Sequence, residues 1–518
     1  MTGIWITLAP LLPMLAALWI GIGYLFGWNR GEAGERETAR VAQGAAFASL
    51  LLILGWDLMA LASGAPGQVV IGPWLASGEY QVDISFNLDT LGLSMATLVA
   101  FIALLTIRFS VNYLHREAGF QRFFMILSLF TGAMLLIVTA GSSALVFIGW
   151  ELAGVSSYLL IAYSFKRPVA AGNATRAFVT NRIGDAAFVL AIYLSFEWLG
   201  DAEWPALTQG AAGLETLNAD LLALAFLIAA LAKSAQVPFA PWIARALEGP
   251  TPSSAIFYGS LMVHAGAYLM IRLAPLFEAA DAVAVLLAVL GLLTAFYGWL
   301  VGLVQTDVKS SFMFATTAQV GLIFLWCGLG WYDLAAWHLA LHALWRAYQF
   351  LHAPAFMHMV SRPVRTAPGW LTRSRTLHTA ALQRLWLDPL SHWLLVKPTQ
   401  NLAEDVNRFD DRIVSRIVGV PAQASAVSSL AEWEERRLGL VRTEESDIGR
   451  GQGVLGVLME KLAEAFHWFE EHLVLQSEGQ LLQNLSRHVG RYLLQIEELL
   501  TQPRYLLLLI MATIVVIL

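Results

Sequence analysis

Lys233 lies inside an apolar run, in Leu231-Ala-Lys-Ser-Ala-Gln-Val-Pro-Phe-Ala-Pro-Trp242, and Leu247-Glu-Gly-Pro-Thr-Pro252 follows it. Glu151 comes directly after Phe147-Ile-Gly-Trp150 in another such run, and Arg182 and Asp185 fall in Asn181-Arg-Ile-Gly-Asp185. His264 is in Met262-Val-His-Ala-Gly266. His338, His342 and Arg346 follow one another at i, i+4 and i+8, which puts them on one face of a helix. The preceding run contributes Thr316, Thr317 and Gln319. Acids, bases and imidazoles on successive helices of one bundle are what a proton relay needs. In a low-dielectric site burial disfavours whichever form is charged, while a nearby opposite charge favours it. Moving that neighbour moves the proton, and Glu151 beside Lys233 would be such a switchable pair. Arginine does not release its proton, so Arg346 reads as an anchor charge and not as a carrier.

Each member alone has a plainer reading. Glu151 or Lys233 is also what a structural ion pair looks like, and His264 is equally a hydrogen-bonded core histidine. His338 and His342 at i, i+4 fit a metal pair, but no third ligand is near in sequence and Arg346 would repel a cation. No metal is expected. Asp185, near Arg176 and Arg182, reads as an orienting partner more than as a carrier.

These groups need membrane helices to hold them. Hydrophobic residues make up 57% of the chain and charged residues 14%, which excludes a soluble domain. The apolar runs are continuous, so the class is an all-α polytopic membrane protein and not a β-barrel. An intramembrane Lys costs roughly 2.5–3.5 kcal/mol even on insertion scales and is a functional hypothesis by default. Pro238 and Pro250 sit in a broken helix near 233–252, and such breaks line a cavity or are buried in protein. The one cysteine, Cys327, cannot form an internal disulfide or hold an iron–sulfur cluster. No cofactor motif is present, and a net charge of −6 argues against nucleic acid.

Apolar runs at 4–26, 41–62, 86–109, 121–140, 142–164, 178–199, 219–237, 253–276, 281–304, 310–329, 334–357 and 503–518 predict about twelve spans. The first has no basic region before it and is read as retained. Alternate loops are basic: Arg30, Arg36 and Arg40 in the first, Arg108, Arg116 and Arg122 in the third, and Lys166, Arg167 and Arg176 in the fifth. The loop around 63–85 has no Lys or Arg, and the one around 200–218 has only acids. The positive-inside rule then puts the N-terminus outside, in the periplasm of a bacterial inner membrane, and 361–502 in the cytoplasm. Arg272 is the one misfit.

The expected organisation is N-terminal spans and a periplasmic loop over 1–84, a proton-conducting core over 85–360 and a cytoplasmic amphipathic linker over 361–453. Short amphipathic pieces are expected over 382–419. A long amphipathic helix over 454–502 and a C-terminal anchor over 503–518 complete it. That helix reads as lying along the membrane surface and contacting partner subunits and lipid; a soluble coiled-coil arm is the alternative.

The segments around Glu151, Asp185 and Lys233, with Glu248-Gly-Pro-Thr-Pro-Ser-Ser-Ala255, Val304-Gln-Thr-Asp-Val-Lys309 and His338-Leu-Ala-Leu-His-Ala-Leu-Trp-Arg346, resemble the antiporter-like subunits of respiratory complex I and the Mrp-type cation/proton antiporters. The L-type subunit, homologous to mitochondrial subunit 5, is the nearest resemblance. It implies that Glu151 and Lys233 are the charge pair and that His338 and His342 belong to a central water-filled path. Val396-Lys-Pro398 and Phe409-Asp-Asp-Arg-Ile-Val414 are similar to the segment before that subunit's lateral helix.

Three departures stand out. Tyr258 occupies a usual histidine position, with His264 ionisable instead where lysine is common. Arg346 replaces a central lysine. The family continues with further spans that carry the exit half-channel, and here the chain passes almost directly to the tail. The expectation is a proton-translocating subunit of a complex-I-like assembly, with any redox chemistry elsewhere. The membrane subunit of a two-component inorganic-carbon transporter, a cation/proton antiporter and a non-conducting brace are the alternatives.

Overall fold

Among the described residues of the computed structural model, ten helices are long and apolar enough to cross a membrane. The structure describes residues 2–77, 80–359, 367–409 and Lys461. The chain divides into two units, 1–398 and 399–518. The first begins with α1 (Thr2–Phe26) and α2 (Gly31–Ser63), then a hairpin of β1 (Gly67–Ser77) antiparallel to β2 (Tyr80–Leu88). Helices α3 (Thr90–Tyr113), α4 (Phe120–Thr139), α5 (Ser143–Ile161) and α6 (Pro168–Leu199) follow, with the short α7 (Trp204–Gln209) before α8 (Thr216–Lys233). Two short helices, α9 (Pro241–Arg245) and α10 (Thr251–Ser254), lead into α11 (Ala265–Arg272) and α12 (Ala274–Glu278). The long helices α13 (Asp281–Gly302), α14 (Val308–Gly328) and α15 (Tyr332–Met359) complete the bundle. The pieces α16 (Gly369–Arg373), α17 (Arg375–Leu382) and α18 (Leu387–Ser391) close the unit, and α19 (Lys397–Phe409) runs across its boundary.

Local chemistry fixes the helix starts. Asp89 caps α3 by accepting from Gly92 N at 2.7 Å, Ser142 caps α5 through Leu145 N, and Asp307 caps α14 through Ser310 N. Pro168 opens α6, where its missing N–H costs nothing. α13 and α14 approach through small residues: a Cβ on Gly298 would lie 2.5 Å from Ala318 N, so no larger residue fits there. Leu58, Val189, Tyr193, Leu292, Trp337 and Leu341 are exposed large apolar groups, as a lipid-facing surface requires.

Two interrupted helices lie at the centre. The first is the expected one: α8 ends at Lys233 itself, and the chain runs irregularly to α9. The second was not expected. The stretch Thr251–Arg272 is wholly buried and changes from α10 to a π turn (Ala255–Ser260), then a 3₁₀ turn (Met262–His264), then α11. Mid-helix π and 3₁₀ turns free backbone groups and mark functional positions.

The structure differs from the sequence reading in other respects. The loop at 63–85, which has no Lys or Arg, is largely the β-hairpin, whose Val82, Ile84 and Phe86 alternate as a strand pattern. The eleventh expected span corresponds to α15, which is not among the ten because His338, His342 and Arg346 lower its apolar character. The run 503–518 and the helix expected over 454–502, apart from Lys461, lie outside the described residues. Of the 361–453 linker, residues 367–409 are described; they hold α16 and α17 and then a continuous helical run over 387–409 with a π turn inside it, and 410–419 lie outside the described residues.

The loops sort into two ends. Arg116 bonds Glu32, Arg122 Nη2 donates to Tyr163 O, and Arg167 pairs with Glu248 at 3.3 Å, so the basic loops meet one another. At the other end Gln68 and Ser85 of the hairpin both donate to Glu203 beside α7. Arg272, the misfit in the charge pattern, is buried and ion-paired with Asp89, so it is not a free loop charge.

Candidate proton-transfer site

Lys233 is 1% exposed at the last turn of α8, where the helix break begins. Its Nζ donates to Trp150 O at 3.0 Å and lies 3.8 Å from Asp185 Oδ1. The ammonium also stands 5.0 Å over the Trp150 ring, an arrangement that favours a desolvated cation. Trp150 Nε1 donates to the same Asp185 Oδ1 at 2.9 Å. Glu151, one residue on, pairs with Arg182, whose Nε is 3.6 Å from Asp185 Oδ2. The expected Glu151–Lys233 pair is therefore a quartet. Asp185 is the direct partner of Lys233, and Arg182 stands between the two carboxylates. Arg176, read beside Asp185 in sequence, instead pairs with Asp388 at 2.8 Å. The reason is helical phase: Arg182 and Asp185 are i, i+3 on α6, whereas Arg176 faces the end of the bundle.

Two carboxylates and two cations make the site neutral overall. Ions about 4 Å apart gain roughly 4 kcal/mol at an effective dielectric near 20, the same order as the cost of burying each ion. Such a balance shifts when a neighbour moves. Gly154 leaves the room for this: a Cβ there would stand 3.3 Å from Lys233 Nζ.

The imidazoles form a second group. His264 Nε2 and His342 Nδ1 are 3.0 Å apart and share one proton, which either ring can hold. His338 is not bonded to His342. Trp326 Nε1 donates to His338 Nδ1 at 3.1 Å, so the neutral ring carries its proton on Nε2 and donates it to Gln319 Oε1 at 2.9 Å. Arg346 is buried, its guanidinium 5.7 Å from the Phe312 ring, and makes no ion pair among the described residues. Tyr258 is fully buried in the π turn, its ring edge-on to Trp242 at 6.1 Å. Pro238 lies in the break after Lys233, and Pro250 precedes α10 and accepts from Ser253 Oγ at 2.7 Å.

No direct hydrogen bond joins Lys233 to His264 among the described residues. Ser234 and Gln236, both buried in the break, lie in the interval: Gly266 of α11 sits so close that a Cβ would meet Ser234 Oγ at 2.4 Å. Sequence reasoning passed over these two, and over Trp150 and Gly154. The polar Ser-Ala-Gln after Lys233 was a usable signal; a tryptophan in an apolar run was not. Among the described residues no three His, Cys, Asp or Glu side chains are placed to share a metal ion.

Interrupted helices meeting around buried, balanced charges form the core of a multi-pass membrane protein. Comparison with known proteins narrows the class. The model described as NADH:quinone oxidoreductase/Mrp antiporter, TM, matches residues 140–367, and that for NADH-ubiquinone oxidoreductase (complex I), chain 5 N-terminus, matches 74–124. The chain belongs to this antiporter-like family of complex I and Mrp membrane subunits. The NADH-ubiquinone oxidoreductase chain 5 of Allomyces macrogynus is 34% identical over 348 residues, 67% of this chain and 54% of that one. The NADH-quinone oxidoreductase subunit L of Rhodobacter capsulatus is 36% identical over 369 residues, 68% of this chain and 51% of that one. The chain thus spans about half the length of the curated relatives it matches. Its fold is shared with a chain of the Mrp complex of a Dietzia species, with TM-score 0.59, 23% identity and coverage of 69% of this chain and 38% of that one. It is shared also with a chain of the archaeal membrane-bound sulfane sulfur reductase, with TM-score 0.58, 19% identity and coverage of 67% and 70%.

Proposed function

We propose that this chain is a proton-translocating membrane subunit of an NADH:quinone oxidoreductase-type assembly. One observation carries the reading. A fully buried lysine at a helix break is held by Asp185 and Trp150, one residue from a second carboxylate that is held by its own arginine. Glu151, Asp185 and Lys233 exchange the proton, and Arg182 sets which carboxylate is compensated. His264 and His342 receive it, His338 supports them from Gln319, and Arg346 fixes the local potential. Oxidation of NADH and reduction of quinone occur in other subunits. The energy arrives as a movement or charge change in a neighbour.

The partners are other membrane subunits, contacted through 454–502, and the setting is a bacterial inner membrane with the basic loops in the cytoplasm. The inorganic-carbon transporter, lone antiporter and brace readings have no specific observation in their favour. NADH-driven proton uptake by inverted vesicles carrying Lys233→Ala or Glu151→Gln tests the proposal. Uptake reduced at least tenfold with the assembly intact supports it, and wild-type uptake in both variants refutes it.

A further inference from the structure

A row of polar side chains runs from the central imidazoles toward the hairpin end of the bundle, beginning in the 3₁₀ turn at His264 and continuing on α11. His264, Tyr268 and Arg272 recur at i, i+4 and i+8, so they stand along one face over roughly 12 Å of rise. At the inner end His264 holds His342. In the middle the Tyr268 hydroxyl donates to Val138 O at 2.8 Å and accepts from Arg272 Nη2 at 2.9 Å. At the outer end Arg272 grips Asp89 with both terminal nitrogens, Nη2 to Oδ1 at 3.0 Å and Nη1 to Oδ2.

Asp89 and Arg272 are also wall residues of a cavity of about 370 Å³, together with Gln68, Asn87, Thr208 and Gln209. The cavity is polar and roomy enough for many waters, and the Asp89 side chain is 38% exposed while Arg272 is 6% exposed. One face of the pair is wet and the other is buried against the row that leads to His264.

We propose that this row is the outer limb of the proton path, with the cavity as its aqueous mouth. A proton leaving the His264–His342 unit passes through bridging water by the Tyr268 hydroxyl to the Asp89 carboxylate. Asp89 accepts it as its pairing with Arg272 loosens, and then releases it to water in the cavity. Arg272 stays charged throughout and restores the carboxylate afterwards. The path completes itself within this chain, on α11, α3 and the hairpin end.

The inference rests on the proton-translocation reading, so its test runs beside Lys233→Ala. The full chain is expressed with its native partners, with Asp89→Asn, Asp89→Glu and Thr208→Cys made separately. Cys327 is buried, so within this chain a charged, membrane-impermeant thiol reagent applied to whole cells reaches only the introduced thiol, and the same labelling of the assembly without Thr208→Cys is the control. Proton translocation is then measured in vesicles with the assembly quantified. The expected results are at least a tenfold loss in Asp89→Asn, over half of the wild-type rate in Asp89→Glu, and at least a fivefold loss when Thr208→Cys is labelled relative to the same variant unlabelled. Equal loss in Asp89→Asn and Asp89→Glu marks a merely structural pair and overturns the inference, as does labelled Thr208→Cys as active as unlabelled. If either occurs while Lys233→Ala is inactive, the outer limb is wrong and the translocation reading stands. Full activity in both Lys233→Ala and Glu151→Gln removes both.

Discussion

Lys233 and Asp185 form a buried ion pair, 3.8 Å apart, while Glu151 is turned to Arg182. The two carboxylates are thereby unequal. Asp185 is almost wholly buried and fixed by the Trp150 indole, whereas the Glu151 side chain is 23% exposed; each keeps one buried oxygen without a hydrogen-bond partner among the described residues. Asp185 holds the lysine, and Glu151 is the more exposed of the two carboxylates.

Asp185→Asn therefore has the larger effect on where Lys233 sits. It removes the near counter-charge and leaves a buried ammonium uncompensated, the costly way to break a buried pair. Proton translocation falls at least tenfold, and the yield of assembled protein falls with it. Glu151→Gln lowers translocation to a similar extent but leaves assembly at the wild-type level. Quantifying assembled subunit beside proton uptake separates the two.

Gly154 sets the clearance around the lysine. Gly154→Ala places a methyl 3.3 Å from Nζ, and overpacking of this kind costs about 1–3 kcal/mol. Translocation drops about two- to fivefold, and Gly154→Val lowers it further. Unaltered rates in both would show that Lys233 does not depend on this space.

Asp388 ties α6, which carries Arg182 and Asp185, to α9. It pairs with Arg176 of α6 at 2.8 Å and with Arg245 of α9, just past the break. Asp388→Ala strands two part-buried guanidinium groups and costs about 1–3 kcal/mol. The purified assembly melts a few degrees lower, and Asp388→Glu recovers part of the loss.

Glu203 gives a pH signature at the hairpin end. Burial, with Asp201 and Asp83 nearby, holds its carboxyl above the ordinary 4.5 despite the hydrogen bonds from Ser85 and Gln68. A raised value means that the folded chain binds this proton more tightly than the unfolded chain does. The stabilisation is complete below 4.5 and disappears as pH rises through the raised value. Glu203→Gln removes that slope, which a melting series across this acidic window detects.

Much of this was readable in advance for physical reasons. A lysine followed by prolines in an apolar run announces a broken span, and α8 does end at Lys233. The charge alternation of the loops carries over into which loops bond one another, and Arg272 ceases to be an exception once Asp89 is seen to hold it. Pairing was less legible. Glu151 and Lys233 look like partners because they are opposite charges deep in apolar runs, but partner choice depends on rotation between helices, which no sequence interval encodes. The π and 3₁₀ turns ahead of α11 were hidden for the same reason: Ala255–Ser260 is an ordinary apolar stretch, and its distortion comes from packing on every side. The hairpin could have been found from the alternation of Val82, Ile84 and Phe86, a signal overshadowed by the spans around it.

The central claim is that Lys233 gives up and regains a proton rather than serving as a fixed charge. Lys233→Arg tests it most directly, because arginine keeps the charge and the pairing with Asp185 but does not release its proton. NADH-driven proton uptake by inverted vesicles is measured with the assembly confirmed intact. The account predicts at least a tenfold loss of uptake in Lys233→Arg. Uptake at the wild-type rate would contradict it and leave Lys233 a structural ion.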